Sequence, residues 1–328
     1  MTVSFLEIAL QRILSRGEIE DLDHNSIARV RLPARDSVFA ARAARLRKLA
    51  QDSPVADYLR LMAHLADAQQ AVLAGCRAPG ASAQQIGLAQ AHGMPPLQAA
   101  SCKRDPLWTG LLRQILLRLE MTAGVPAEAL EVCRDLRRAL QDQPDAIEAM
   151  ADAILAERGG EVDSAAAPFI AAALQVYWTD MAGRFDARQL PVASPFGVCA
   201  VCGSLPVASV VRVGGQFEGY RYLCCSLCAS EWHLVRVTCS HCEDTETVAY
   251  HTIEGGPQAI RAESCDKCHT YRKIFYQEQD LDVEPVADDL ASLMLDVLMG
   301  EAGYVRASGN PLLWQNADDE SEAGGGAS

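Results

Sequence analysis

The sequence has no long hydrophobic run and no excess of positive charge. No uninterrupted stretch of 18 apolar residues occurs, and the most hydrophobic late segment carries Asp288, Asp289 and Asp296, so no membrane-spanning helix is predicted. The opening apolar stretch, residues 5–14, is interrupted by charged side chains and does not resemble a secretory signal. The formal net charge of −14 argues against a general binder of polyanions.

Cysteine, in contrast, is abundant and regularly spaced. The chain has 12 cysteines, and eight of them form four Cys-x-x-Cys pairs. The pairs are arranged as a duplication, with 22 residues between the two pairs of each repeat: Cys199 and Cys202 with Cys225 and Cys228, then Cys239 and Cys242 with Cys265 and Cys268. Four converging thiolates suit a tetrahedral metal ion. The sequence therefore predicts two four-cysteine metal sites and a cytoplasmic protein whose cysteines hold metal rather than form disulfides.

The pattern along the chain predicts an α+β fold. Residues 1–190 are expected to form an all-helical domain. Two small β-rich metal repeats, rubredoxin-like or of the zinc-ribbon type, are expected at 195–236 and 237–280. A C-terminal helix is predicted within 281–305, packed back onto the helical domain or the first repeat, and 315–328 is expected to be a disordered acidic and glycine-rich tail.

The clearest helix is predicted to follow Asp105 and Pro106, an N-cap and a first-turn proline. Its apolar residues recur with a period of 3.6: Leu107, Trp108, Leu111, Leu112, Ile115, Leu116 and Leu119. Further helices are predicted at residues 37–49, 54–74, 125–140, 144–157 and 164–185, and a loop with one short helix between 77 and 101. This stretch is therefore expected to supply a helical core.

A β-hairpin is predicted after the first Cys-x-x-Cys turn of each repeat. The strands are expected at residues 207–213 in the first repeat, and at 247–253 and 258–263 in the second. Each hairpin is long enough to return the chain to its own metal.

The residue after the second cysteine of each turn is expected to have positive φ, which glycine adopts most easily. Gly203 is the one glycine at these positions. Ala229, Glu243 and His269 occupy the others, so these three turns are expected to be less regular.

The remaining cysteines and nearby histidines are expected to have ordinary structural roles. Cys224 adjoins Cys225 and is interpreted as a bystander rather than a ligand or a resolving thiol. Cys76, Cys102 and Cys133 are interpreted as small buried apolar residues. For His233, His241 and His269 the sequence leaves two roles open, as hydrogen-bond donors around a metal ligand or as surface residues.

Both the metal and the function remain open at this point. Four sulfurs suit zinc and iron equally well, so each site would hold either structural zinc or rubredoxin-like iron. A zinc-ribbon module that binds nucleic acid or a transcription protein needs a basic surface, but residues 195–275 contain seven Lys or Arg against eight Asp or Glu. A dithiol oxidoreductase needs a reactive pair at a helix N-terminus, and these pairs lie among strands.

Several longer segments resemble one family. They are Cys199-Ala-Val-Cys-Gly-Ser-Leu-Pro-Val, the block from Arg221-Tyr-Leu-Cys-Cys through Glu231-Trp-His to Cys239-Ser-His-Cys, and Glu263-Ser-Cys-Asp-Lys-Cys-His-Thr-Tyr-Arg-Lys. Val30-Arg-Leu-Pro and Ala287-Asp-Asp-Leu extend the likeness towards both ends. The chain resembles the FdhE family of formate dehydrogenase accessory proteins.

The resemblance implies a non-enzymatic cytoplasmic factor that is needed for active respiratory formate dehydrogenase. It would act on the catalytic subunit of that enzyme before export. The charge and hydropathy of the chain predict in addition that it neither binds nucleic acid nor inserts into a membrane. The eight paired cysteines, by position, would hold two rubredoxin-like irons with a redox role in maturation. No such role is implied for Cys224.

Overall fold

A computed structural model describes residues 27–191 and 196–313 of the chain. The predicted tail at 315–328 and the first 26 residues of the predicted helical domain lie outside the described residues. After the short strand β1, seven α-helices follow in the described residues: α1 (Val38–Leu49), α2 (Ala56–Gly75), α3 (Ala83–His92), α4 (Leu107–Glu120), α5 (Ala127–Asp142), α6 (Pro144–Leu155) and α7 (Ala167–Ala182). The strands are β1 (Val30–Arg31), β2 (Pro206–Val211), β3 (Arg221–Cys225), β4 (Glu231–His233), β5 (Val248–His251), β6 (Ile260–Cys265), β7 (Thr270–Tyr276) and β8 (Val305–Arg306), with α8 (Pro285–Ala291) and α9 (Leu293–Glu301) before the last strand.

The helical region is built around α7. All of its residues are buried, including the polar Gln175 and Thr179 and the charged Asp180, which pairs with Arg35 and Arg184. The predicted stripe of α4 is confirmed, since Trp108, Leu116 and Leu119 are fully buried and α4 packs against α7. Each fully buried large side chain contributes roughly 1.5–3 kcal/mol to folding. The predicted short helix in the loop is α3, which begins with a capping box formed by Ser82 and Gln85.

The two metal repeats share one sheet. Its strand order is β1-β4-β3-β2-β7-β6-β5, and β8 pairs with β7. Within each repeat the strands are antiparallel, and the predicted hairpins are confirmed. The repeats are joined by a parallel pairing of β2 with β7, in which Ser209 lies opposite Ile274 and Val211 opposite Tyr276. The sequence did not predict this junction, which makes the sheet region continuous.

The C-terminal segment forms two helices rather than one. The break is at Ser292, whose hydroxyl donates to the carbonyl of Asp288 at 2.7 Å and so competes with the helical pattern. Helix α8 packs against α1 and β2. Helix α9 packs through Leu295 and Met299 onto Tyr271 and Ala262, which belong to the second repeat.

Candidate metal centres

The four Cys-x-x-Cys turns, called knuckles below, have the same backbone conformation. The residue after the second cysteine has positive φ in every one: 79° at Gly203, 56° at Ala229, 62° at Glu243 and 54° at His269. The expectation that three knuckles would be less regular is therefore wrong. A left-handed conformation costs a residue other than glycine roughly 1–2 kcal/mol, so the surrounding contacts override local preference three times. One such contact is the Glu243 N–H, which donates to the Cys239 carbonyl at 3.0 Å.

The knuckles bring the eight predicted cysteines together as two groups of four. The first cluster comprises Cys199, Cys202, Cys225 and Cys228, the second Cys239, Cys242, Cys265 and Cys268, and within each cluster all sulfurs lie within 4.8 Å of one another. In the first cluster the sulfurs of Cys199 and Cys228 are 3.6 Å apart, and those of Cys202 and Cys225 are 3.4 Å apart. In the second cluster the corresponding distances are 3.7 Å between Cys239 and Cys268 and 3.6 Å between Cys242 and Cys265.

These spacings match the size of a four-sulfur metal site. A tetrahedron with metal–sulfur bonds of about 2.3 Å has edges of about 3.8 Å. A disulfide would instead need sulfurs about 2.05 Å apart. All twelve cysteines lie within the described residues and are unbridged. Both clusters therefore have the donor set and the dimensions for one tetrahedral ion each.

Hydrogen bonds favour the thiolate at one cysteine of each cluster, whereas burial raises the pKa of Cys225 and Cys228 in the first cluster and of Cys239 and Cys242 in the second. Burial opposes ionisation of Cys202, but hydrogen bonds from the three other cysteines of its cluster outweigh it and hold its pKa well below the ordinary value. In the second cluster, burial also opposes ionisation of Cys265, yet the Thr247 hydroxyl and the N–H groups of Cys268 and Lys267 lower its pKa to about 7. A thiolate is the form that binds a metal.

The two clusters lie in different surroundings. The first is covered by the helical region: the Ala99 N–H donates to the Cys202 carbonyl at 2.8 Å, and the Gln175 side chain of α7 donates to the Ser226 carbonyl at 2.7 Å. The second cluster lies at the far end of the sheet, beside β5. Cys242 and Cys268 are only partly buried there.

Sequence models of one protein family match this chain over most of its length. Three sequence models match in order: "FdhE, N-terminal" over residues 27–194, "FdhE, central domain" over 198–236 and "FdhE, C-terminal domain" over 237–313. The chain belongs to the FdhE family. A protein FdhE homolog of Edwardsiella ictaluri is 44% identical over 88% of this chain and 92% of its own length. Protein FdhE of Escherichia coli K12 is 41% identical over 91% of this chain and 95% of its own.

The fold has a counterpart in a solved FdhE structure. The crystal structure of the FdhE protein from Pseudomonas aeruginosa has a TM-score of 0.79 and 36% sequence identity, and the match covers 88% of this chain and 100% of that one. The predicted fold class, a helical region followed by a sheet region with two four-cysteine clusters, is thus confirmed.

In this FdhE chain Cys225, and not its neighbour Cys224, belongs to the first cluster. Because successive side chains of a strand point to opposite faces, Cys224 instead lines a cleft of about 520 Å³ beside Arg212. Burial raises the pKa of Cys224 well above the ordinary value, so it is a neutral thiol. Burial likewise raises the pKa of Cys76 to about 11 and of Cys133 to about 12. Cys102 differs from expectation, since it is only partly buried.

The histidines near the knuckles fall into two groups. His241 and His269 are exposed. His233 lies among aromatic rings, with its ring centre 5.7 Å from that of Tyr220.

The sequence did not predict that the helical region packs over the first cluster. Gln175 connects α7 to the first metal repeat, and its signal was a polar residue in the middle of an alanine-rich helix. None of the helices in the described ranges has the length and hydropathy that a membrane span requires.

Proposed function

We propose that the protein is an accessory factor for a respiratory formate dehydrogenase, that it binds the catalytic subunit of that enzyme, and that each cysteine cluster holds one metal ion. The observation that carries the proposal is the pair of four-sulfur clusters in a chain of the FdhE family. Membership of the FdhE family supports the formate dehydrogenase catalytic subunit as the client, meaning the protein that this factor binds. The sulfur geometry supports the binding of a metal ion in each cluster.

For the ions we propose iron, with zinc as the alternative. The donor set is four thiolates at each site, which suits both metals. The N–H groups of Val201 and Leu227 each lie 3.4 Å from a cluster sulfur, and such bonds stabilise the charge of a metal-bound thiolate. Iron, when bound, would give each cluster one-electron redox chemistry. The proposed role of that chemistry is to adjust the redox state of the client during maturation.

We propose a binding role rather than catalysis. A catalytic metal site keeps one position open for water or substrate, whereas each cluster here supplies all four ligands itself. The chain is also acidic overall, which disfavours nucleic acid as a partner. The proposed compartment is the cytoplasm, because twelve unbridged cysteines suit a reducing environment.

The test is anaerobic co-purification with a formate dehydrogenase catalytic subunit, together with metal analysis by mass spectrometry. We expect the subunit to co-purify and about two metal ions per chain, with ferric-thiolate absorption if the metal is iron. A Cys202→Ser, Cys242→Ser double variant tests whether binding depends on the clusters. If the wild-type protein does not retain the catalytic subunit, the docking role is refuted. If the wild-type protein contains about two zinc ions and is colourless after iron-replete growth, the redox role alone is refuted.

A further inference from the structure

The two clusters differ in how far solvent reaches them. Each cysteine of the first cluster is at most 1% exposed. In the second cluster Cys242 and Cys268 are partly exposed, and they come one from each knuckle. Because all four sulfurs of the cluster lie within 4.8 Å of one another, these two sulfurs form one edge of it. The second cluster therefore has an accessible edge, whereas the first has none.

The cover over the first cluster explains the difference. Leu97 and Ala99 donate backbone hydrogen bonds to Val201 and Cys202, at 3.1 and 2.8 Å, so a loop of the helical region lies along the first knuckle. The second cluster is contacted instead by the C-terminal segment. The Val305 N–H donates to the His269 carbonyl at 2.8 Å, and the Tyr304 hydroxyl to Asp266 at 2.6 Å. These contacts hold one knuckle in place and leave Cys242 and Cys268 partly exposed.

Two histidines, a residue type that commonly binds metal ions, are adjacent in sequence to the cysteines of the accessible edge. His241 precedes Cys242, His269 follows Cys268, and both are exposed. The equivalent positions of the first repeat are occupied by Val201 and Ala229, which have no donor atom in the side chain. His269 and Ala229 have nearly the same φ, 54° and 56°, so backbone geometry does not account for the difference. Neutral imidazole binds iron and zinc well.

We propose that the second cluster is the site where the protein takes up and releases metal, with His241 and His269 as the residues that receive the ion at its edge. The proposal rests on the proposed function, because that function places a metal in both clusters. The first cluster, with its sulfurs buried, retains its ion as part of the fold.

The exchange is a ligand substitution without electron transfer. On release, His241 and His269 would hold the ion in place of Cys242 and Cys268 until thiolates of an external carrier replace the ligands of the protein. Each freed thiolate takes a proton from water. Uptake is the same sequence reversed. An incoming ligand needs a line of approach to the metal–sulfur bond, which Cys242 and Cys268 offer and the first cluster does not.

The first test uses the unaltered, zinc-loaded protein with the chelator 4-(2-pyridylazo)resorcinol and pulses of iodoacetamide, and maps the alkylated cysteines by mass spectrometry. We expect one metal equivalent to leave at least tenfold faster than the other, with the second-cluster cysteines alkylated in the fast phase. Equal rates, or faster alkylation of the first cluster, would overturn the inference and leave the proposed function standing. A protein that holds no metal in either cluster would overturn both.

The second test addresses the histidines. A double variant, His241→Gln with His269→Asn, removes both imidazoles, and asparagine tolerates the positive φ at position 269. We expect an unchanged metal content at equilibrium but roughly three- to tenfold slower uptake and release. The control is His92→Ala, which removes an exposed histidine of α3. Exchange rates equal to those of the control would show that the histidines do not receive the ion.

Discussion

The helical region and the sheet region are stabilised by different kinds of interior. The helical core is mostly apolar around the fully buried Trp178 on α7, with a few buried charges such as Asp180 and Arg42. The sheet region buries charges as well, including Arg221 with Glu263 at 2.9 Å, and it contains both cysteine clusters. Apolar burial needs no ligand, whereas converging thiolates repel one another unless a cation lies between them. We therefore expect the helical region to be stable without metal and the sheet region to depend on a cation in each cluster.

The two regions are nevertheless connected through polar side chains. Gln175 donates to the Ser226 carbonyl in the first cluster, and its own oxygen accepts from Gln69 at 2.9 Å and from Arg42 at 3.3 Å. Arg42 in turn pairs with Glu284 at 3.1 Å, next to α8. The first metal repeat and the helical core therefore share Gln175, although the apolar burial of α7 does not depend on this side chain.

The largest effect should come from removing a ligand of the first cluster. We expect Cys225→Ser to lose one of two metal ions, because four thiolates are needed to close the site. Structural zinc in small domains contributes on the order of 10 kcal/mol at neutral pH, and that free energy is coupled to folding. Hydrogen exchange followed by mass spectrometry should show lost protection in β2 and β3, with α4 and α7 still protected.

The neighbouring residue supplies a matched control for that experiment. Cys224→Ala removes a buried thiol from the same strand but not from the cluster. It should keep both metal ions and its hydrogen-exchange protection. If α7 lost protection as fully as β3 in Cys225→Ser, the two regions would form one cooperative unit and the proposed difference between them would be wrong.

The next largest effect should come from the buried charges of the sheet region. Lys273 and Asp289 are both fully buried, 3.5 Å apart, and the Lys273 ammonium also donates to Asp296 at 2.6 Å. Lys273→Met removes this cation and leaves Arg306 as the remaining cationic partner of Asp289 and Asp296, and breaking a buried ion pair typically costs about 3–5 kcal/mol. The free energy of unfolding, measured by denaturant titration of metal-saturated protein, should fall by that amount.

The control for this variant is an exposed ion pair of the same region. Lys267 pairs with Asp244 at 3.3 Å, and its side chain is 62% exposed. Lys267→Met should change the free energy of unfolding by less than about 1 kcal/mol. Equal losses in the two variants would mean that burial does not increase the contribution of Lys273 to stability.

A slightly smaller loss is expected from the apolar core of the helical region. Leu116 on α4 is fully buried, and Leu116→Ala should lower the free energy of unfolding by about 2–5 kcal/mol through lost burial and a residual cavity. Leu117→Ala, next to it but 37% exposed, should cost less than about 0.5 kcal/mol. Both variants should retain two metal ions. A loss of metal in Leu116→Ala would show that the clusters depend on the helical core.

Much of the fold followed from periodicity and spacing. The stripe from Leu107 to Leu119 predicted α4, because a 3.6-residue apolar period has one structural solution. The Cys-x-x-Cys spacing predicted which cysteines come together, because a short turn fixes the distance between its two sulfurs. Both are local rules that a single sequence displays.

The contacts that the sequence did not predict are long-range. The parallel pairing of β2 with β7 joins residues about sixty-five positions apart, and neither strand carries a signal for its partner. Positive φ at Ala229, Glu243 and His269 contradicts the local preference of those residues, and at Glu243 and His269 the N–H closes the turn by donating to the carbonyl of the first cysteine. The cover over the first cluster depends on Gln175, whose partner lies 51 residues away.

The smallest effect concerns the acid side of the stability curve. Glu231 on β4 is buried, which alone would raise its pKa, but attraction to Arg212 and Arg31 outweighs burial and holds the pKa below the ordinary value. A carboxylate of this kind stabilises the fold fully above its unfolded pKa of about 4.3, and its contribution disappears as the pH falls through the folded value. Glu231→Gln should therefore cost about 1–3 kcal/mol at pH 7, because the arginines lose a charged partner.

The difference between the wild-type protein and Glu231→Gln should shrink as the pH falls below about 4, where the wild-type carboxylate also becomes neutral. Denaturant titrations from pH 7 to pH 3 check this, with Glu218→Gln, an exposed residue of the same repeat, as the control. Because acid also protonates the cluster thiolates in every variant, only the difference between the proteins reports on Glu231. A difference that stayed constant down to pH 3 would mean that packing, and not the charge of Glu231, accounts for its contribution to the sheet region.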